Sequence, residues 1–323
     1  MNEYLDPRLL RGFAAVAEEL HFTRAAARLY VAQQALSRDV RRLEKALGAE
    51  LFVRSTRQVA LTPEGERLLP YAHRVLAAHE ELAAAFSGPA GRPLLVDVNT
   101  DGPGTARTVL DRARELAPGC ELMARFESGL THSAAEVAAG RLDVTFGRFG
   151  GLPAGLRARL VHRPVRYEPL AVLLPLGHRL AGLEAVPLAE LAGETVYAGA
   201  GNPRTAEWTD LARRLFAGRG IKVAAPAPVA VGKEEFGRVM AKTRTPVLAT
   251  VSFADLPASV KRPLVAPVPL SPLSMVWRRG FGHPGLDALR SAAAGLAAER
   301  GWLERPAGSW LPEVDAALMA GGG

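Results

Sequence analysis

FTRAAARLYVAQQALSRDVRRLEKALG, residues 22–48, sets alanines and apolar residues at helical spacing on one side and arginines, glutamines and a serine on the other. Two helices fit it. Thr23 offers a cap for a helix over residues 24–30, and Val31, Ala32 and Gln33 form a short connection. A third helix follows and ends near Gly48, where a left-handed residue is easily accommodated. Ahead of them, Leu9, Leu10, Phe13, Val16, Ala17 and Leu20 recur at three and four, so residues 6–20 read as an amphipathic helix with Pro7 in its first turn.

On the third helix Leu36, Val40, Leu43 and Leu47 line one face and read as core. The rest of its surface carries Gln34, Ser37, Arg38, Arg41, Arg42 and Lys45, groups able to meet base edges and to neutralise phosphates. In a helix-turn-helix the first residues of the second helix reach deepest into the major groove, which singles out Gln33, Gln34, Ser37 and Arg38. The rival reading is a solvated basic face. Ala25, Ala26 and Ala27 favour the first, since small residues let the helices cross closely. Asp39 pairs with Arg42 or accepts from a cytosine amino group, and otherwise repels the phosphate backbone.

Extended pieces around residues 50–54 and 58–61, with 55–57 as a turn, form a two-stranded wing. Thr62 and Pro63 then announce a helix through about Phe86. Its apolar residues, Leu68, Leu69, Ala72, Val75, Leu76, Leu82, Ala83 and Phe86, recur near 3.5, a spacing suited to pairing with a second copy; Pro70 predicts a kink. Residues 87–93, SGPAGRP, read as a hinge. Beyond it, strands (94–98, 121–126, 143–146) alternate with helices (105–116, 133–139), which implies parallel βαβ units in a doubly wound sheet. A second group has strands at 170–174, 195–198, 247–251 and 266–277, and helices at 205–216 and 286–298.

The net charge of +7, from 40 Lys and Arg against 33 Asp and Glu, favours a polyanionic partner. A single cysteine, Cys120, excludes an intramolecular disulfide. No export signal and no apolar run of membrane-spanning length is evident, so the expectation is a soluble cytoplasmic protein with no membrane partner. The histidines, His73, His79 and His178 among them, form no metal-spaced motif, and there is no GxSxG, Walker loop or GxGxxG. Neither a metal, a cofactor nor enzyme activity is expected.

The run from Phe22 to Ala72 resembles the winged helix-turn-helix and linker helix of the LysR-type transcriptional regulators. The resemblance lies in AQ-x-ALSR at residues 32–38, RLE at 42–44, LF-x-R at 51–54 and LT-x-x-G at 61–65. It implies that Gln33, Ser37 and Arg38 contact an operator, with Gln34, Arg41 and Arg42 on the same face, Thr23 and Arg24 near phosphates, and Arg54 or Arg57 on the wing. Gln34 and Asp39 depart from the family's usual residues, which leaves the sequence preference open.

Residues 138–148, AAGRLDVTFGR, and 170–182, LAVLLPLGHRLAG, followed by VPLAELAGETV, resemble the family's effector-binding domain, itself similar to periplasmic binding proteins. Ligands of such folds sit between two α/β lobes, beyond the carboxyl ends of the strands. Candidate effector contacts are Asn99, Thr100, Asp101 and Gly102 before one helix, Gly129 and Thr131 before another, Arg148 as a guanidinium for a carboxylate, and Gly201, Asn202 and Thr250 from the second lobe. Several of these equally suit plain turns. KTRTPVLATVSF, residues 242–253, departs from a glycine-rich family segment.

The expected architecture is α/β overall: a mainly α winged helix-turn-helix over residues 1–61, a linker and dimerisation helix with hinge over 62–90, and a two-lobed α/β periplasmic-binding-like effector domain over 91–323. The resemblance implies a double-stranded DNA operator, a small-molecule effector for which an anion is one option, a homodimer through the linker helix, a homotetramer, and RNA polymerase as a further partner. A periplasmic solute-binding protein, a nucleoid-type architectural protein and an enzyme on the two-lobed fold are the rival classes.

Overall fold

The protein is described by a computed structural model covering residues 6–29, 31–54, 59–86, 92–98, 104–127, 129–226 and 232–321. It divides into two units, Met1–Gly91 and Arg92–Gly323.

The first unit contains α1 (Pro7–Glu19), α2 (Phe22–Arg28), α3 (Gln33–Leu47), a hairpin of β1 (Phe52–Arg54) and β2 (Val59–Leu61), and α4 (Pro63–Phe86). Asp6 caps α1 by accepting from the Arg8 amide, and Pro7 suits the first turn because its missing N–H has no partner to lose there. Leu9, Leu10, Phe13 and Val16 of α1, Ala25 and Ala26 of α2, and Leu36, Val40 and Leu43 of α3 close one core with Leu51 and Phe52. Burial of each leucine-sized side chain contributes about 1.5–3 kcal/mol. Gly12 permits the close crossing of α1 over α3, since a Cβ there would lie 3.0 Å from Leu36 Cδ1.

Three expectations change. His21, not Thr23, caps α2: its Nδ1 accepts from the Thr23 amide at 3.2 Å, and Thr23 is already inside the helix. Leu47 is 37% exposed, because the last turn of α3 runs past the helices that cover Leu36, Val40 and Leu43. The apolar stripe of α4 is divided: Leu68, Leu69, Ala72 and Leu76 pack on this unit's own core, while Val75 and Leu82 stay exposed beside Tyr71. The helix is continuous through Pro70.

The family-like motifs have local structural duties. Glu44 of the RLE accepts from the Leu51 amide at 3.0 Å and ties the wing to α3. Thr62 accepts from the Gly65 amide at 3.1 Å and donates to the Glu50 carbonyl at 2.7 Å. Gly65 has no room for a side chain, since a Cβ would sit 2.3 Å from the Leu51 carbonyl oxygen.

The second unit begins with β3 (Leu94–Asp97), α5 (Thr105–Leu116), β4 (Leu122–Arg125), α6 (Leu130–Ala138), β5 (Val144–Gly147) and α7 (Ala154–Arg157). It continues with β6 (Leu160–Pro175), β7 (Val186–Pro187), β8 (Thr195–Val196), α8 (Ala206–Phe216), β9 (Lys222–Val223), α9 (Gly232–Thr243), β10 (Val247–Thr250) and β11 (Ser259–Val265). Last come β12 (Val268–Arg278), α10 (Pro284–Glu299), β13 (Ser309–Trp310) and α11 (Glu313–Ala320).

Strands β4, β3 and β5 are parallel, and β12 joins them antiparallel to β5. The long strand β6 pairs with β12 over residues 160–169 and with β10 and β11 over residues 170–175. One strand therefore serves two lobes. In the first, α5 and α10 bury Val109, Leu110, Leu289 and Leu296 on one sheet face, and α6 buries Leu130 and Val137 on the other. In the second, α8 buries Leu211, Leu215 and Phe216 against Leu170, Val172 and Leu174 of β6, and Met240 of α9 packs with Leu173 and Val247. The first half of β6, and β11, α9 and α11, lie outside the elements read from sequence. The proline- and arginine-containing run HRPVRYEP of β6 lacks the apolar run that marks a buried strand.

Gly65→Ala should destabilise the first unit by about 1–3 kcal/mol through overpacking. A denaturant midpoint equal to wild type would remove the close approach to Leu51.

Candidate functional site

On α3, Gln33, Gln34, Arg38, Arg41 and Arg42 are exposed, with Ser37 half-buried among them. The side chains of Gln34, Arg38, Arg41 and Arg42 make no hydrogen bond or ion pair with another described residue. Gln33 Nε2 donates to Ser37 Oγ at 3.1 Å, which joins two of the expected base readers in one pair. Thr23 is exposed on α2. Arg24 is held by Glu19, through its carbonyl and through its carboxylate at 3.4 Å. Asp39 pairs across to Arg8 of α1 at 3.6 Å rather than to Arg42, because its helix face looks toward the start of α1. The Arg54 side chain and Arg57 lie outside the described residues.

The second unit gathers a different set. Asn99, Thr100, Asp101 and Gly102 lie outside the described residues. At the start of α6, Gly129 holds φ +123, a conformation that favours glycine, and a Cβ there would meet the Arg204 carbonyl oxygen at 2.3 Å. Leu130 and Thr131 donate their amides to the two carboxylate oxygens of Glu207 at 3.1 Å each, and Thr131 Oγ1 donates to the same carboxylate at 2.5 Å. Glu207 sits in the first turn of α8, in the other lobe. Burial pushes its carboxyl above the usual range, and the hydrogen bonds from Thr131, its own amide and Leu130 offset part of that.

Arg148, expected to await a ligand carboxylate, is 3% exposed and engaged internally. Its Nε donates to Asp315 of α11 at 2.8 Å, and its Nη1 to Asp210 at 2.7 Å and to the Glu207 carbonyl at 3.0 Å. Burial raises the Asp315 carboxyl against the pull of Arg148. Asp210 lies below its usual value although partial burial opposes this, because Arg214 and Arg148 both donate to it.

Asn202 is a turn former, capping a 3-10 turn by accepting from the Arg204 amide at 3.0 Å, and Gly201 with φ +84 lies against Pro226. Thr250 ends β10 with its hydroxyl 3.0 Å from Ser252 Oγ. Of the candidate effector contacts, the structure therefore brings Gly129, Thr131 and Arg148 to one place, around Glu207.

Sequence reasoning missed Glu207, Asp210, Asp315 and Glu168. Glu168 lies where β6 passes between lobes and accepts from Thr105 Oγ1 at the start of α5 at 2.7 Å; the same hydroxyl accepts from Arg166 at 3.0 Å. Burial raises the Glu168 carboxyl, against the hydrogen bond from Thr105 and the charge of Arg166. Nothing local marks these residues, since Glu207 meets Thr131 across 76 positions of chain.

Among the described residues no helix is long and apolar enough to cross a membrane, and no group of His, Cys, Asp or Glu is placed to hold a metal ion. A helix-turn-helix with a wing, followed by a two-lobed α/β unit, defines a class of bacterial regulators. Two family profiles match: "Bacterial regulatory helix-turn-helix protein, lysR family" over residues 7–66, and "LysR substrate binding domain" over residues 98–297. The chain belongs to the LysR family.

Among its relatives, the HTH-type transcriptional regulator IlvR of Caulobacter vibrioides is 32% identical over 310 residues, 88% of this chain and 96% of its own length. TtuA of Agrobacterium vitis is 30% identical over 296 residues, 87% and 93% of the two chains. The match to ShiR of Corynebacterium glutamicum, 35% identical over 192 residues, spans 58% of this chain and 64% of that protein. The fold is shared with full-length CbnR, solved with its target DNA, at a TM-score of 0.62, 21% identity and coverage of 90% and 99%. It is shared too with a full-length OxyR variant from Pseudomonas aeruginosa, at 0.59, 24% identity and coverage of 91% and 95%.

Asp315→Ala leaves a buried guanidinium without its more buried counter-ion and should cost about 3–5 kcal/mol; Asp210→Ala, at a more open carboxylate, should cost less. Equal losses in denaturant melts would contradict this ranking. For Glu168, a raised folded pKa means that its contribution to stability is full below the unfolded value of about 4.3 and is lost as pH rises through the folded value. Glu168→Gln should flatten the decline of Tm over that window, and an unchanged slope would count against the burial of this carboxyl.

Proposed function

We propose that the protein is a sequence-specific DNA-binding transcriptional regulator, acting in the cytoplasm, whose activity is set by a small-molecule effector bound between the lobes of its second unit. The observation that carries this reading is α3, where exposed Gln34, Arg38, Arg41 and Arg42 have no side-chain partner among the described residues while Leu36, Val40 and Leu43 are buried behind them. A helix so anchored presents amide and guanidinium groups to the major groove, with the Gln33–Ser37 pair at its leading end. Relatives named as HTH-type transcriptional regulators over most of the chain support the same reading.

Two copies joined along α4 place two recognition helices on half-sites about one helical turn apart. The exposed Tyr71, Val75 and Leu82 provide the apolar surface for that pairing. Pairing of dimers through their second units gives a tetramer that spans longer, bent DNA. The effector then acts by binding one arrangement of lobes more tightly than another, which changes how the operator is held and how RNA polymerase is met.

Arg38→Ala should weaken operator binding by about 1–3 kcal/mol and relax base preference at its contact. Arg41→Ala should weaken operator and random DNA alike and reduce the salt slope by about one. Footprinting and salt-dependent affinities read both. Absence of any protected short palindromic site would overturn the regulator reading.

A further inference from the structure

The start of α6 is a place where the chain answers its own donors. Gly129 at the N-cap has no side chain to accept from the first-turn amides, and no side-chain cap exists there. Glu207 supplies the acceptor from the other lobe, one carboxylate oxygen to the Leu130 amide and the other to the Thr131 amide and hydroxyl. A helix N-terminus with two free amides and a hydroxyl is a carboxylate site by geometry and by the helix dipole. Two further buried donors lie on the residues around this contact: Arg148 Nη2 and Thr205 Oγ1 have no hydrogen-bond partner among the described residues, while Arg148 Nη1 reaches the Glu207 carbonyl at 3.0 Å and Thr205 Cγ2 would lie 2.6 Å from a Cβ on Gly129.

The two lobes approach closely at this contact. A Cβ on Gly129 would come within 2.3 Å of the Arg204 carbonyl oxygen, and one on Gly151 within 2.5 Å of the Glu207 Cβ. Both first-turn amides and the Thr131 hydroxyl already donate to Glu207, so another acid group can take these donors only if Glu207 leaves them. Resting on the effector-binding reading of this unit, we propose that the α6 N-terminus is an anion site which the chain fills with its own Glu207 carboxylate, and that an acidic effector takes the site only by displacing Glu207. The contact is then both a latch between lobes and a filter: weak acids that cannot replace three hydrogen bonds do not open it.

Full-length protein tests this with acetate and formate as probes, against chloride at equal ionic strength. Glu207→Ala vacates the carboxylate position, and acetate should raise its Tm by several degrees more than that of wild type, an effect that Thr131→Val in the same background should reduce. Glu207→Gln keeps the volume without the charge and should bind acetate at least ten-fold more tightly than wild type, which keeps the test open where the alanine variant fails to fold. Equal acetate response in wild type and both variants would overturn the proposal and leave Glu207 a structural cap. Operator footprinting of the same samples separates the two readings: a protected operator with no variant-specific acetate response overturns the anion site alone, whereas a protein protecting no operator overturns the regulatory reading.

Discussion

The second unit depends on a guanidinium that has been taken out of water. Arg148 leaves the end of β5 in the first lobe, meets Asp210 and the Glu207 carbonyl on α8 of the second lobe, and meets Asp315 on the last helix. Three segments distant in sequence thus share one charge. Burying a cation is costly unless it is paired and hydrogen-bonded, and such pairs define geometry more than they add stability. Asp315, itself buried, also fills the space beside Gly150, where a Cβ would lie 2.1 Å from its Oδ1. The carboxy-terminal helix is therefore part of the frame that sets how α8 approaches β5.

The two units treat charge in opposite ways. On α3 the arginines are exposed and have no side-chain partner among the described residues, and Asp39 is drawn aside to Arg8. Such an arrangement leaves its donors free for an external polyanion. Between the lobes, by contrast, Glu207, Arg148 and Asp210 largely satisfy one another, with Glu168 and Arg166 sharing Thr105 nearby. Low local dielectric strengthens such contacts and makes each unpaired group costly. A ligand entering there must exchange hydrogen bonds rather than simply add them.

The lobes are joined by continuous strands and by this polar contact. Because β6 pairs with β12 up to Pro169 and with β10 and β11 from Leu170 on, one strand crosses from the first lobe to the second at Pro169 and Leu170. The hydrogen bonds of the Leu130 and Thr131 amides and the Thr131 hydroxyl to Glu207 link the lobes where Gly129 lets them approach.

Local pattern was enough for the first unit. Helical periodicity, the Thr62-Pro63 start and the Gly48 stop are short-range signals, and α1, α3 and α4 follow them closely because each buries one apolar face. Alternating strands and helices made the α/β class of the second unit legible for the same reason. What the tertiary structure alone decided are the pairings across long stretches of chain. The stripe on α4 was divided between core and surface, Asp39 met Arg8 rather than Arg42, and Arg148 was joined to Asp315 across 167 positions of chain. Periodicity reports which face of an element is apolar. It carries no information about which distant polar atom will meet a buried charge, because that choice belongs to the packed interior, where desolvation forces every such group to find the partner that the fold happens to place within reach.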